Sequence, residues 1–473
     1  MPTLEIGFGE QDITPQPGTV LSGFIFRENR PSTHVDDPLH VRVLTIRHQN
    51  EVFTLVNYEL LGISPELEEH LLAALEEVLK PSFSRDRAVL VATHTHSAPP
   101  ASPLEGEADT DPQYRDFLCR CTIQAARSAL QQLQLATLHV ASLWIPGHTY
   151  NRRGRLVDGR VTMALTPDVP VLERGPVDDT LTALVWRNTQ GRNIAGIVHF
   201  ACHGVAVCAQ GLGGDIPGEV ARRAASLLGA PCMFLQGAAG DINPTVAAST
   251  HTDMLKWMDD FVPKLARLPV TLYPVPSLPF RAVSTVVPLD YQPLPPRAAV
   301  IERIKNFERI AGGDVDSPDL QNTLRRLGNI MNFAPGQRPD VAKAAYASQA
   351  LANAERRTLA AIDSARPLAP CPMRLAAWQI GQITMVFASA ELFALTGFQI
   401  RASGSGQAML PVTYAAPIVG YVPDSASMGK GGYEVDDAWR FYRHPAPFQP
   451  DSVDRILAAV GDLNAALKNK AGE

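Results

Sequence analysis

Short apolar runs alternate along the chain with amphipathic stretches, the pattern of an α/β protein with some parallel strands. "LHVRVLTI" and "VFTLVNYELLGI" predict strands, and "SPELEEHLLAALEEVLK" predicts a helix with Ser64 as its N-cap. "RAVLVATHTH" is the next strand, followed by the helix-like "YRDFLCRCTIQAARSALQQL". Then come "LATLHVASLWI", the turn-rich "PGHTYNRRGR", and "TLTALVWRN" joined through "TQGRN" to "IAGIVHFACH" in the manner of a hairpin. "EVARRAASLLGA" reads as a helix, and "PCMFLQGAAGDINP" as a strand running into a glycine loop. From 251 to 370, helix-forming segments surround a proline-rich stretch near 273 to 296, which predicts a helical insertion within a single domain spanning 1–473. Strand character returns in "LAAWQIGQITMVFASAELF".

Four of these apolar runs end in polar, potentially ligating residues: "THTHS", "HFACHG", "QGAAGDINP" and "FASAELF". Ligands of open α/β sheets gather at the carboxyl ends of strands, so the four termini are expected to converge on one pocket. His94 and His96, two apart on a strand, share a face. His199 and His203 do the same if "IVHFACH" stays extended. Neutral imidazole is the commonest metal ligand, and a catalytic zinc takes three protein ligands with one open position. A lone His-x-His is otherwise an ordinary hydrogen-bonded pair, and it is the second histidine cluster that favours a metal.

Composition narrows the partners. With a net charge of −6 and a pI near 6.1, the chain lacks the basic surface that nucleic acid or anionic lipid would need. The segment "MPTLEIGFGEQDITP" has no basic leader region, and no run approaches the roughly 18 apolar residues of a membrane span. A cytoplasmic protein without a stable membrane anchor is expected, with a small molecule as its partner; a homo-oligomer is compatible with the sequence. The six cysteines are scattered and lack a paired Cys-x-x-Cys zinc spacing, and Cys119 and Cys121 fall on different faces of their helix as ordinary thiols.

The motifs "ATHTHSAPP", "NRR", "HFACHG", "GGDIP", "QGAAGDINP", "ASAELF" and "GYVPDSASMGKGGYE", in this order, resemble those of the neutral ceramidases and their bacterial relatives, which are zinc-dependent amide hydrolases. The resemblance implies a ceramidase-like catalytic domain with mixed β-sheets and a metal site at strand carboxyl ends. Carried across by motif, it implies His94, His203, Glu391 and Tyr421 as zinc ligands. It further implies that His96 and Arg152 contact the scissile group and that Tyr433 is a second pocket tyrosine. Asp215 is a candidate to fix a histidine's tautomer. Asp241 could do the same or serve only as a turn residue.

Two departures modify these expectations. Where ceramidases carry a serine proposed as nucleophile, this chain has Asn243, whose carboxamide can hold a carbonyl oxygen but cannot attack it, so metal-activated water becomes the expected attacker. About forty residues follow Tyr433 where secreted ceramidases continue into an immunoglobulin-like domain. The expected substrate is accordingly a small soluble amide, with an ester or lactone fitting the same groups. Against hydrolysis stand a metal-dependent isomerase or lyase working through an enolate, and a catalytically silent metal-binding protein.

Overall fold

Period-two alternation builds the centre of the molecule, a computed structural model that describes residues 4–164, 166–331, 340–404 and 408–469. In the strand His40–His48, Leu44 and Ile46 turn to one face and Val41 and Val43 to the other, and both sets are buried. In Glu51–Tyr58, Phe53 and Leu55 likewise oppose Val52, Val56 and Tyr58. A sheet apolar on both faces must be covered on both.

That sheet has nine strands, eight of them in the order Cys232–Gln236, Asn193–Phe200, Thr180–Asn188, Gln134–Trp144, Leu4–Asp12, His40–His48, Glu51–Tyr58 and Ala88–Ala92. Its outermost pairs are parallel and its interior antiparallel, so the strands leading to His94 and to His203 each lie beside a parallel partner. One face packs on a second sheet formed by Phe280–Leu289, Cys371–Ile380, Ile383–Ala388 and Ala408–Val412. Edge-on aromatic contacts, Phe53 to Phe280 at 4.7 Å and Phe53 to Trp378 at 5.9 Å, lie in the shared core. The helices Pro65–Leu79 and Pro112–Gln131 cover part of the other face of the large sheet, and Asp215–Leu228 and His251–Leu265 another part. The helix Ser452–Asn469 closes the far side of the small sheet. The result is two sheets between two helical layers.

Ser64 caps its helix as expected: its Oγ accepts from the Leu67 N–H at 3.0 Å, and Pro65 takes the first helical position. Ser64→Ala should therefore cost about 1 kcal/mol in urea-denaturation stability. A loss below a few tenths would contradict the cap.

The stretch 251–370 is not helical throughout. Tyr273–Val275 adds to the large sheet and Phe280–Leu289 is an edge strand of the small one. An edge strand tolerates Pro288, and proline density is what disguised it in the sequence. The helices Arg297–Ala311, Gln321–Met331 and Val341–Asp363 form a separate layer whose core includes Leu324, Leu327 and Leu351, with Phe441 packed in and Ile25, Phe26 and Tyr433 against it. The strand Leu4–Asp12 was not foreseen either. Its glycines at 7 and 9 lower strand propensity, yet it pairs on both sides near the centre of the sheet. All six cysteines are free thiols. Among the described residues no helix is long and apolar enough to cross a membrane.

Candidate metal centre and active site

Two short ladders bring the candidate residues together. Beyond the strand Ala88–Ala92, Thr95 forms a parallel bridge with Gly204, and the His96 N–H donates to the Gly204 carbonyl at 2.9 Å. This sets His94 and His96 beside His203. A Cβ on Gly204 would lie 2.5 Å from the His94 carbonyl oxygen, so only glycine permits the approach. Elsewhere, Glu391–Leu392 pairs in parallel with Tyr421–Val422, making Glu391 and Tyr421 register partners. His94 itself is held at φ 66°, a left-handed conformation that a non-glycine residue adopts only under local constraint.

The ring nitrogens of His94, His96 and His203 lie within 4.8 Å of one another, and all three residues are buried. His94 Nδ1 lies 2.6 Å from the Leu61 carbonyl and His203 Nδ1 lies 3.1 Å from that of Ala239. A carbonyl can only accept, so each Nδ1 carries the proton and each Nε2 is left with a lone pair. His203 Nε2 is 3.1 Å from His96 Nε2, and His94 Nε2 is 3.3 Å from Glu391 Oε2. Burial holds the imidazoles neutral: His94 is lowered to about 3, and His96 and His203 fall well below the usual range, reinforced by the neighbouring His94.

Glu391 is fully buried. Its Oε1 accepts from the Tyr442 hydroxyl, the Tyr421 and Tyr414 phenols also favour its charged form, and Oε2 faces His94. Burial raises its carboxyl to about 7, against the lowering effect of Tyr442 and Arg152. A buried carboxylate beside imidazole lone pairs, with a phenol from Tyr421 on the adjoining strand, is a donor set that could hold a metal ion. Burial lowers the three imidazoles and raises Glu391, so were these residues to hold a metal, Glu391 would have to release a proton. Metal affinity should therefore rise by up to tenfold per pH unit as pH approaches about 7 and level off above it. Tyr442→Phe removes a bond that favours the carboxylate and should move this rise to higher pH. Chelator competition across pH, with calorimetry in two buffers to count released protons, tests both statements; affinity flat between pH 5 and 7 would contradict them.

Arg152 lies on the other side of Tyr421. The strand Thr149–Asn151 pairs with Ile242–Pro244, and the Arg152 N–H donates to the Asp241 carbonyl at 2.8 Å. The buried guanidinium donates to Glu434 Oε1 at 2.9 Å, to Asn243 Oδ1 at 3.2 Å and to the Tyr421 hydroxyl at 2.8 Å. The Asn243 amide also favours the charged form of the Tyr150 phenol. His94, His96, His203, Arg152, Asn243, Tyr421 and Tyr433 all line one cavity of about 90 Å³.

Two candidates behave otherwise. Asp215, at φ 55°, touches no imidazole; its oxygens accept from the N–H groups of Ala206, Val207 and Ile216, and so it pins the loop that follows His203. Asp241 similarly accepts from Ala394 N–H and Asn151 Nδ2, tying the Arg152 segment to the one carrying Glu391. Burial raises both carboxyls to about 6. His199 is not at the cavity, because the strand ends at Phe200 and its Nε2 donates to the Pro411 carbonyl at 2.7 Å. The sequence reading missed Glu434, Tyr442 and Tyr414, whose ring lies 4.2 Å from that of His94. Glu434 adjoins Tyr433 in "GGYE", and its pairing with "NRR" was the available signal.

No family model matches the chain, and no curated protein matches it. Solved structures do. A ceramidase complexed with C2 superposes with a TM-score of 0.68 at 15% identity, over 99% of this chain and 76% of that one. Neutral ceramidase from Pseudomonas aeruginosa superposes with a TM-score of 0.67 at 15% identity, over 99% of this chain and 75% of that one. From the outer helical layer to the ladder that carries Glu391 and Tyr421, this chain has the fold of the neutral ceramidases.

Proposed function

We propose that the protein is a zinc-dependent hydrolase that cleaves the C–N amide bond of a small acylated substrate, by attack of water rather than of a side chain. The observation that carries the reading is the buried Glu391 carboxylate facing the imidazole cluster, 3.3 Å from His94 Nε2, beside a cavity lined by His94, His96, His203 and Arg152. His94, His203, Glu391 and Tyr421 would hold the ion. The chemistry it supplies when bound is polarisation of the carbonyl and activation of water at neutral pH.

The remaining roles follow from the donors. Arg152 is fixed on three partners and keeps its charge beside the cavity, and the Asn243 amide and the Tyr433 phenol lie on the wall. These groups bind the oxygen that becomes negative as the carbonyl turns tetrahedral. His96, neutral and 3.1 Å from His203, takes the proton of the attacking water and returns it to the leaving amine. Asn243 accepts from Arg152 through Oδ1, which fits a positioning and donor role and supplies no nucleophile. An ester or lactone would meet the same groups.

The test is metal analysis of the purified protein, followed by a panel of short-chain N-acyl amines and esters in oxygen-18 water. Label in the released acid supports hydrolysis. Turnover without label would establish the isomerase or lyase chemistry instead.

A further inference from the structure

The cavity carries one acidic group that the proposed chemistry does not use. Of its two wall glutamates, Glu105 is engaged, accepting from Arg357 with Arg443 at 3.8 Å. Glu107 is not: its Oε1 accepts from the Gly23 N–H at 2.7 Å and its Oε2 from the Ser22 hydroxyl, and no cationic nitrogen lies within ion-pair distance among the described residues. The nearby Arg27 does not neutralise it through a bond. Its guanidinium is spent on the carbonyls of Ser22, His96, Val207, Cys208 and Ala209.

Glu107 is also close to the reacting centre. Gly23, which donates to it, adopts φ 100°, and a Cβ there would lie 2.4 Å from His96 Nδ1. The Ser22–Gly23 segment is thus pressed between the His96 ring and the Glu107 carboxyl. Arg152 is matched by Glu434, whereas Glu107 has, among the described residues, only the field of Arg27 and no ion pair. Burial raises its carboxyl, and a cationic ligand would remove that penalty.

Resting on the hydrolase reading above, we infer that Glu107 recognises an ammonium group, and that the substrate is an amide carrying a protonated primary amine. The amine can sit on the leaving side or on the acyl side. Isothermal titration of zinc-loaded protein with two matched pairs distinguishes them: N-acetylputrescine against N-pentylacetamide, and γ-aminobutyramide against valeramide. Within each pair a neutral methyl replaces the ammonium. At least one ammonium ligand should bind about tenfold or more tighter than its isostere, the usual scale for a hydrogen bond to a charged partner. In Glu107→Gln that ratio should fall below about threefold, with zinc content and melting temperature confirming a folded variant. Ratios below threefold for both pairs in the unmodified protein, or a preference that survives Glu107→Gln, would overturn the assignment. Ammonium-selective binding without turnover would sink the hydrolytic reading and leave this one standing, whereas equal hydrolysis of both members of each pair would do the reverse.

Discussion

His203→Ala should yield a folded protein that no longer retains zinc and has lost about three orders of magnitude or more in kcat/KM. The size follows from the several kcal/mol that a bound metal contributes to stabilising developing charge, each 1.4 kcal/mol being worth about tenfold. His203 is completely buried, its tautomer is fixed by the Ala239 carbonyl, and its free nitrogen faces His96. His96 Nε2 lies 3.1 Å away, so His96→Ala made in parallel shows which of the two imidazoles the metal needs. His199→Ala is the matched control. That residue is equally buried four positions earlier, where its Nε2 bonds the Pro411 carbonyl. The control should lose stability and keep its metal. Metal content by mass spectrometry decides the matter without an assay, and stoichiometric zinc in His203→Ala would remove the basis of the proposed site.

The second large effect is expected from Arg152→Met. Its guanidinium bridges Glu434, Asn243 and Tyr421 in a buried setting, and Glu434 also receives Arg153. Breaking a buried ion pair from one side strands the other charge and typically costs about 3 to 5 kcal/mol; the remaining Arg153 contact places this variant at the lower end. If Arg152 also stabilises the oxyanion, kcat should fall by about 10² to 10³. Arg153→Met separates the two roles, because Arg153 bonds Glu434 and the Gly431 carbonyl and is not on the cavity wall. Both variants should lose stability in urea, and only Arg152→Met should lose kcat disproportionately. Equal losses would reduce Arg152 to a structural residue.

The strands that carry the site were legible because their chemistry sits directly after an apolar run. "VLVATHTH" and "IVHFACH" both leave their strands within a few residues of a histidine, and the structure brings those ends together. What the sequence could not show is where the chain bends. His199 and His203 share a face only if extension continues, and the strand stops at Phe200. Asp215 shows a similar limit: an aspartate near histidines could orient a ring, but its left-handed backbone turns the carboxylate toward main-chain N–H groups instead. Tyr442 and Glu434 escaped because hydrogen bonds to Glu391 and Arg152 from distant segments leave no trace in periodicity. The strand Phe280–Leu289 was obscured by local composition, since its Pro288 is acceptable only at an edge that a single sequence does not reveal.

The pairing of Glu391 with Tyr421 also has a bearing on biogenesis. A polypeptide leaves the ribosome amino terminus first, so the imidazoles emerge long before the acidic and phenolic donors exist. Until the chain has been made through Tyr421 and that ladder has closed, a nascent molecule lacks half of the proposed ligand set at this site. On the proposed ligand set, tight metal capture would be reserved for nearly finished, correctly assembled chains.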